Sequence, residues 1–155
     1  MIFISHRKAD EREAIGVANY LKSKGIECWV DVLDPATKNK ATDITKHIIS
    51  TLNRCTHVIV LFSINTDGSM WVPFELGAAY KAEKGIGTYL LQNVRTPEYL
   101  DAFPRMRTSY DLDQYAEEYK KDQQLSKSSL NRGMVFNESN NADSFISRMK
   151  TRLRQ

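Results

Sequence analysis

The stretch His57-Val58-Ile59-Val60-Leu61-Phe62-Ser63 is apolar along almost its whole length. A run of strand length with no alternating polar face predicts a central strand buried among other elements. Residues 2–5 (Ile-Phe-Ile-Ser) form a shorter apolar run of the same type. Residues 26–31 (Ile-Glu-Cys-Trp-Val-Asp) alternate like a strand with one polar face, and residues 87–92 supply a fourth strand. The segments between them have helical period. Residues 10–24 carry Ile15, Val17, Ala18, Tyr20 and Leu21, with Gly25 as the stop. Residues 42–54 place Ile44, Ile48, Ile49 and Leu52 on one stripe. Residues 70–84 form a third helix, with Pro73 tolerated in its first turn and Gly85 ending it.

The order β-α-β-α-β-α-β with short connections predicts a parallel sheet covered by helices on both faces. Further on, residues 95–104 read as irregular, 106–109 as a short fifth strand and 111–124 as a charged helix. Residues 125–141, rich in Ser and Asn, read as loop or disordered chain. Residues 142–154 read as a last helix with Phe145, Ile146, Met149 and Leu153 apolar, and its arginines from Arg148 to Arg154 as a solvated face. The expected organisation is one domain over residues 1–124, with 125–155 a loop plus a C-terminal helix packed on or extending it.

Hydrophobic residues make up 41% of the 155 and charged residues 26%, the ordinary composition of a globular protein. A net charge of +3, with the basic residues scattered among acids, gives no case for nucleic acid as a partner. The apolar runs are too short to span a membrane and the start does not read as a secretory signal, so the expectation is a cytoplasmic protein without a membrane partner. Cys28 and Cys55 lie far apart and have no zinc-like spacing with His6, His47 or His57, so reduced thiols and no metal site are expected.

Ligands of such sheets bind at the carboxyl ends of the strands, where the strand order reverses. The residues at those ends are His6-Arg7-Lys8, the segment 31–34, and Ser63 to Trp71. Several common occupants are excluded. There is no G-x-x-x-x-G-K-[ST] phosphate loop, no glycine fingerprint after the first strand and no G-x-S-x-G elbow. The paired acids of a receiver domain are replaced by Ser5-His6. What remains is Trp71 and Glu75, four residues apart at the start of a helix and therefore on one face of it, close to the crevice mouth.

Four segments resemble the boxes of the TIR (Toll/interleukin-1 receptor) family. Ile2 to Asp10 resembles F-I-S-[HY]-x-x-x-D. Gly25-Ile26-Glu27-Cys28-Trp29-Val30-Asp31 resembles the second strand leading into the BB loop, and Val58 to Ser63 the third strand. Ser69-Met70-Trp71-Val72-Pro73-Phe74-Glu75 resembles the S-x-W-x-x-x-E helix start. The resemblance covers roughly the first 95 residues. It implies the TIR variety of α/β fold, a flavodoxin-like three-layer arrangement with a central parallel sheet of about five strands.

Many bacterial and plant TIR proteins cleave NAD+ at the nicotinamide–ribose bond, and others act as adaptors through TIR–TIR contacts. The resemblance implies Glu75 as the catalytic residue, with Phe3, Ser5, His6, Arg7, Asp31 and Trp71 around the substrate. NAD+ is then a substrate and not a cofactor. A chain of this size resembles the stand-alone TIR subunit of Thoeris anti-phage systems, which implies a cyclic ADP-ribose-type product read by a separate effector. The competing expectations are a non-catalytic TIR–TIR adaptor or host-mimicking effector module and, more distantly, a nucleoside deoxyribosyltransferase-like enzyme.

Overall fold

The computed structural model describes residues 1–30, 41–66, 68–92, 94–131 and 138–155. The strands are β1 (Ile2–Ser5), β2 (Cys28–Val30), β3 (His57–Phe62), β4 (Gly85–Leu90) and β5 (Arg105–Met106). They pair parallel throughout, in the order β2-β1-β3-β4-β5. The helices are α1 (Glu11–Ser23), α2 (Ala41–Arg54), α3 (Trp71–Lys81), α4 (Ser109–Asn131) and α5 (Glu138–Arg152).

The period-2 alternation of β1 and β3 divides the interior into two cores. Ile2, Ile4, Ile59 and Leu61 face α1, α4 and α5, where they meet Val17, Leu21, Tyr115 and Phe145. Phe3, Val58, Val60 and Phe62 face α2 and α3, where they meet Ile48, Leu52, Val72 and Leu76. The order runs outward from β1 to β2 and back past β1 to β3, so the reversal falls between β1 and β3. Among the described residues no helix is long and apolar enough to cross a membrane.

The helix ends obey cap chemistry more closely than apolar counting. Gly25, at φ +78°, closes α1: its amide donates to Lys22 and that of Ile26 to Leu21, the paired bonds of a Schellman cap. The same two bonds close α3, from Glu83 to Tyr80 and from Lys84 to Ala79, with Glu83 at φ +54°. Gly85 therefore does not end the third helix. It opens β4, which runs 85–90 and not 87–92, and it is glycine there because an added Cβ would meet the His57 imidazole at 2.3 Å. Ile15 and Ile49 are exposed, off the buried stripes Ala14-Val17-Leu21 and Ile44-Ile48-Leu52.

The largest departure from expectation lies after residue 124. The helix expected to stop there continues to Asn131, and α5 begins at Glu138. A five-residue 3-10 turn, Glu98–Ala102, occupies the middle of the segment expected to be irregular. The arginines of α5 are not a solvated face. Arg148 Nε pairs with Glu118 Oε1, and its Nη2 lies 3.0 Å from Asp122 Oδ1. Arg152 Nε lies 3.1 Å from Glu118 Oε2. Glu118 and Asp122 are each only 2% exposed, so α5 supplies the positive charge that makes their burial tolerable.

Beside them His57 is wedged edge-on among Tyr115, Tyr119 and Phe145. Its Nε2 lies 3.5 Å from Asp122, an ion pair only if the ring were protonated. Burial lowers its pKa from 6.5 to about 3, so the ring is neutral. The Cys28 thiol is pushed up to about 12, chiefly by burial, which leaves it unreactive. Both cysteines are free.

Three measurements check this account. Glu83→Gly relieves a left-handed residue and is expected to raise unfolding stability in urea by up to about 1 kcal/mol. Arg148→Ala strands buried carboxylates and is expected to lower it by about 2–3 kcal/mol, the low end for a buried pair because the guanidinium is partly solvated. The unfolded chain protonates His57 below about pH 6.5 and the folded chain does not, so His57 favours unfolding increasingly as pH falls from about 6.5 toward 3, by up to about 1.4 kcal/mol per unit. A urea series at several pH values, repeated on His57→Gln, is expected to show a shallower acid loss in the variant.

Candidate functional site

The candidate site sits at the carboxyl edge of the sheet where the strand order reverses. Helix α3 starts there, directly after the loop leaving β3. Ser69 Oγ accepts the Val72 amide at 3.3 Å and satisfies one orphan donor at the helix start. Along α3 the buried positions are Val72, Glu75, Leu76 and Ala79. Glu75 thus belongs to the stripe that packs toward the sheet and is 6% exposed. Helix α3 lies against both β3 and β1, so its carboxylate is held between helix and strands. A carboxylate so placed is costly to bury unless it is compensated.

Phe3 and Ser5 alternate with Ile2 and Ile4 and so face the α3 side of β1. Phe3 is wholly buried. Ser5 is also wholly buried, and its Oγ has no hydrogen-bond partner among the described residues. An unpartnered hydroxyl at the end of a strand is a donor and acceptor held in reserve.

His6 is half-buried, with Nδ1 3.3 Å from the Ile4 carbonyl. A carbonyl only accepts, so in that contact Nδ1 is the donor. Arg7 is half-buried at the turn into the next helix, while Lys8 pairs with Glu11 at 2.5 Å. Trp71 is half-buried and meets Phe74 edge-on, with ring centroids 6.0 Å apart. Asp31 and the segment after it lie outside the described residues. Glu75, Ser5 and Trp71 therefore come from elements that touch, His6 and Arg7 continue the same edge, and Phe3 lies beneath.

Sequence reasoning passed over Asp10. Standing just before a helix, it reads as a cap, yet it makes no side-chain cap bond. Instead Ser63 Oγ donates to Asp10 Oδ2 and Asn65 Nδ2 to Oδ1, each at 2.6 Å. Ser63 Oγ in turn accepts the Asn65 amide at 2.9 Å, and Thr66 Oγ1 accepts the Ser63 amide at 3.0 Å. One buried carboxylate so joins the loop leaving β1 to the loop leaving β3, on either side of the strand reversal. Its only sequence trace is its place as the last residue of the first box.

A five-stranded parallel sheet of this order, with a buried acid at its reversal point, defines an α/β protein of the doubly wound class. A family model described as TIR domain matches residues 2–127. The chain belongs to the TIR domain family. It is 32% identical over 79 residues to the probable 3′ cyclic ADP-D-ribose synthase ThsB′ of Bacillus cereus (strain MSX-D12), covering 49% of this chain. The match spans 41% of that relative's length.

Solved structures agree on the fold. The TIR domain of the Toll-related receptor TRR-2 from Hydra magnipapillata superposes with a TM-score of 0.57 at 17% identity, over 68% of this chain and 81% of the other. A metazoan TIR-STING receptor from C. gigas gives a TM-score of 0.57 at 22% identity, over 73% of this chain and 38% of the other.

Asp10→Ala leaves the Ser63 hydroxyl and the Asn65 amide without their shared acceptor. It is expected to cost about 2–3 kcal/mol of unfolding stability, measured in urea, with Asp10→Asn intermediate.

Proposed function

We propose that this chain cleaves NAD+ at the nicotinamide–ribose bond and that the product is a cyclic ADP-ribose-type signal serving anti-phage defence. The observation that carries the reading is the buried carboxylate of Glu75 on the sheet-facing stripe of α3, at the strand reversal. The relative from Bacillus cereus, a probable 3′ cyclic ADP-D-ribose synthase, supports it.

The chemistry asks little of the protein beyond that acid. Nicotinamide departs as a neutral molecule, so no general acid is needed. Positive charge grows at the ribose C1′, and a fixed carboxylate in a water-poor site stabilises it at little reorganisation cost. The same carboxylate accepts hydrogen bonds from the ribose hydroxyls. One acid suffices where ordinary glycosidases need two.

On this reading Ser5 Oγ orients the ribose and Trp71 packs beside it. Phe3 holds Ser5 in place from below. Arg7 meets the pyrophosphate and His6 lines the rim; Asp31, outside the described residues, is assigned a substrate contact on the family resemblance alone. NAD+ is the substrate and no resident cofactor takes part. Water as acceptor gives ADP-ribose. A nucleophilic atom of the same molecule gives the cyclic signal, which a separate effector reads.

Self-association fits this reading. The rim exposes Phe74 and Met70, the latter at 82%, beside the start of α3. Such contacts between TIR domains would close the site from the solvent side.

The test is incubation with NAD+ followed by chromatography and mass spectrometry. Wild type is expected to release nicotinamide and form a cyclic product, and Glu75→Gln to lose on the order of 10²–10³-fold of that release. Equal release by the variant overturns the reading. Absence of release at all protein concentrations moves the assignment to a TIR–TIR adaptor.

A further inference from the structure

A concavity opens on the same edge of the sheet as the candidate site, one strand further from β1. It has a volume of about 320 Å³ and is lined by Phe62, Ser63, Ile64, Arg95, Thr96 and Pro97 among others. Its inner wall is the end of β3 and its outer wall is the loop leaving β4. It shares Ser63 with the Asp10 network, so its position relative to the reversal point is set by the same buried carboxylate. The outer loop is fixed by backbone bonds at both ends, from Val94 to Gln92 and from Leu100 to Pro97.

The chemistry of this cavity is specific. Arg105, Arg148 and Arg152 are each committed to carboxylates. Arg95 makes no ion pair or hydrogen bond among the described residues, and it lines the cavity together with Thr96. A guanidinium fork and a hydroxyl on the lining of one cavity suit a phosphate group. Ile64, Val94 and Pro97 offer apolar surface that a flat ring can cover. A volume at the small end of the range for ligand pockets fits a nucleoside monophosphate and not a whole dinucleotide.

The geometry points to a second subsite, in which Arg95 binds the phosphate of a nucleoside 5′-monophosphate unit whose base lies on Ile64, Val94 and Pro97. The inference deepens the NAD+-cleaving reading and rests on it for the identity of the unit, the adenylate half of the dinucleotide. The nicotinamide riboside half would then lie at Glu75, and the two arginines Arg7 and Arg95 would flank the pyrophosphate from β1 and β4. Arg95 is on this account a specificity residue: it favours the dinucleotide over nicotinamide mononucleotide, which lacks the adenylate.

The experiment is calorimetric titration with AMP, run on wild type, Glu75→Gln, Arg95→Ala and Arg95→Lys, with adenosine as the phosphate-free control. Saturable AMP binding is expected in wild type and Glu75→Gln alike. It is expected to weaken about tenfold or more in Arg95→Ala, to be partly regained in Arg95→Lys, and to be much poorer for adenosine. In turnover, Arg95→Ala is expected to raise KM for NAD+ by a similar factor and to leave kcat little changed.

Absence of AMP binding by wild type, or AMP binding unchanged in Arg95→Ala, overturns the subsite even if NAD+ is cleaved. Arg95-dependent AMP binding in a chain that releases no nicotinamide upholds the subsite and overturns the NAD+ reading. Arg95 is exposed, so an unaltered thermal melt is expected for its variants.

Discussion

The hydrogen bonds that Asp10 accepts from Ser63 and Asn65 are the constraint on which the working edge of this molecule depends. Where a parallel sheet reverses its strand order, the loops leaving the two neighbouring strands run to opposite faces and leave a crevice. Nothing in the sheet ladder holds those loops at a set spacing. A buried carboxylate with both oxygens engaged does so here, and the low dielectric around it strengthens each bond. The start of α3 follows from the β3 loop, so the direction in which Glu75 is presented traces back to the same clasp.

The layered fold was legible because it rests on period and order. The uninterrupted apolar β3 and the alternation of strand and helix lead to one architecture, and the two cores confirm the period-2 division of β1 and β3. Boundaries were less legible because capping decided them. Glycine was read as the stop for α3, but a glutamate takes the left-handed position, while Gly85 is needed as a strand residue bare enough to lie against an imidazole. Individual positions also escaped the pattern. Ile15 and Ile49 have the right chemistry but the wrong angular place on their helices.

The site was legible in part for a similar reason. Glu75 and Trp71 lie on a local helix, where spacing translates directly into a shared face. Asp10 binds residues more than fifty positions away, and no periodicity encodes a partnership of that range. Arg95 was unmarked because an isolated arginine in an irregular segment has the same appearance in sequence whether it faces water or a cavity. The arginines of α5 misled in the opposite sense. Their run of positive charge reads as a wet surface until the acids of α4 are seen beneath it.

Those α4 acids bear on where the cooperative unit stops. The part of the chain recognised as TIR ends at residue 127, short of α5. Yet Phe145 and Met149 are wholly buried in the core beneath β1 and β3, and Arg148 and Arg152 neutralise Glu118 and Asp122 on α4. A helix that contributes both greasy filling and counter-charge is not an appendage. Were α5 to detach, the core beneath β1 and β3 would open to solvent and two carboxylates would draw water into one face of the sheet. The last helix is therefore part of the packed core, which extends past the residues that family likeness outlines.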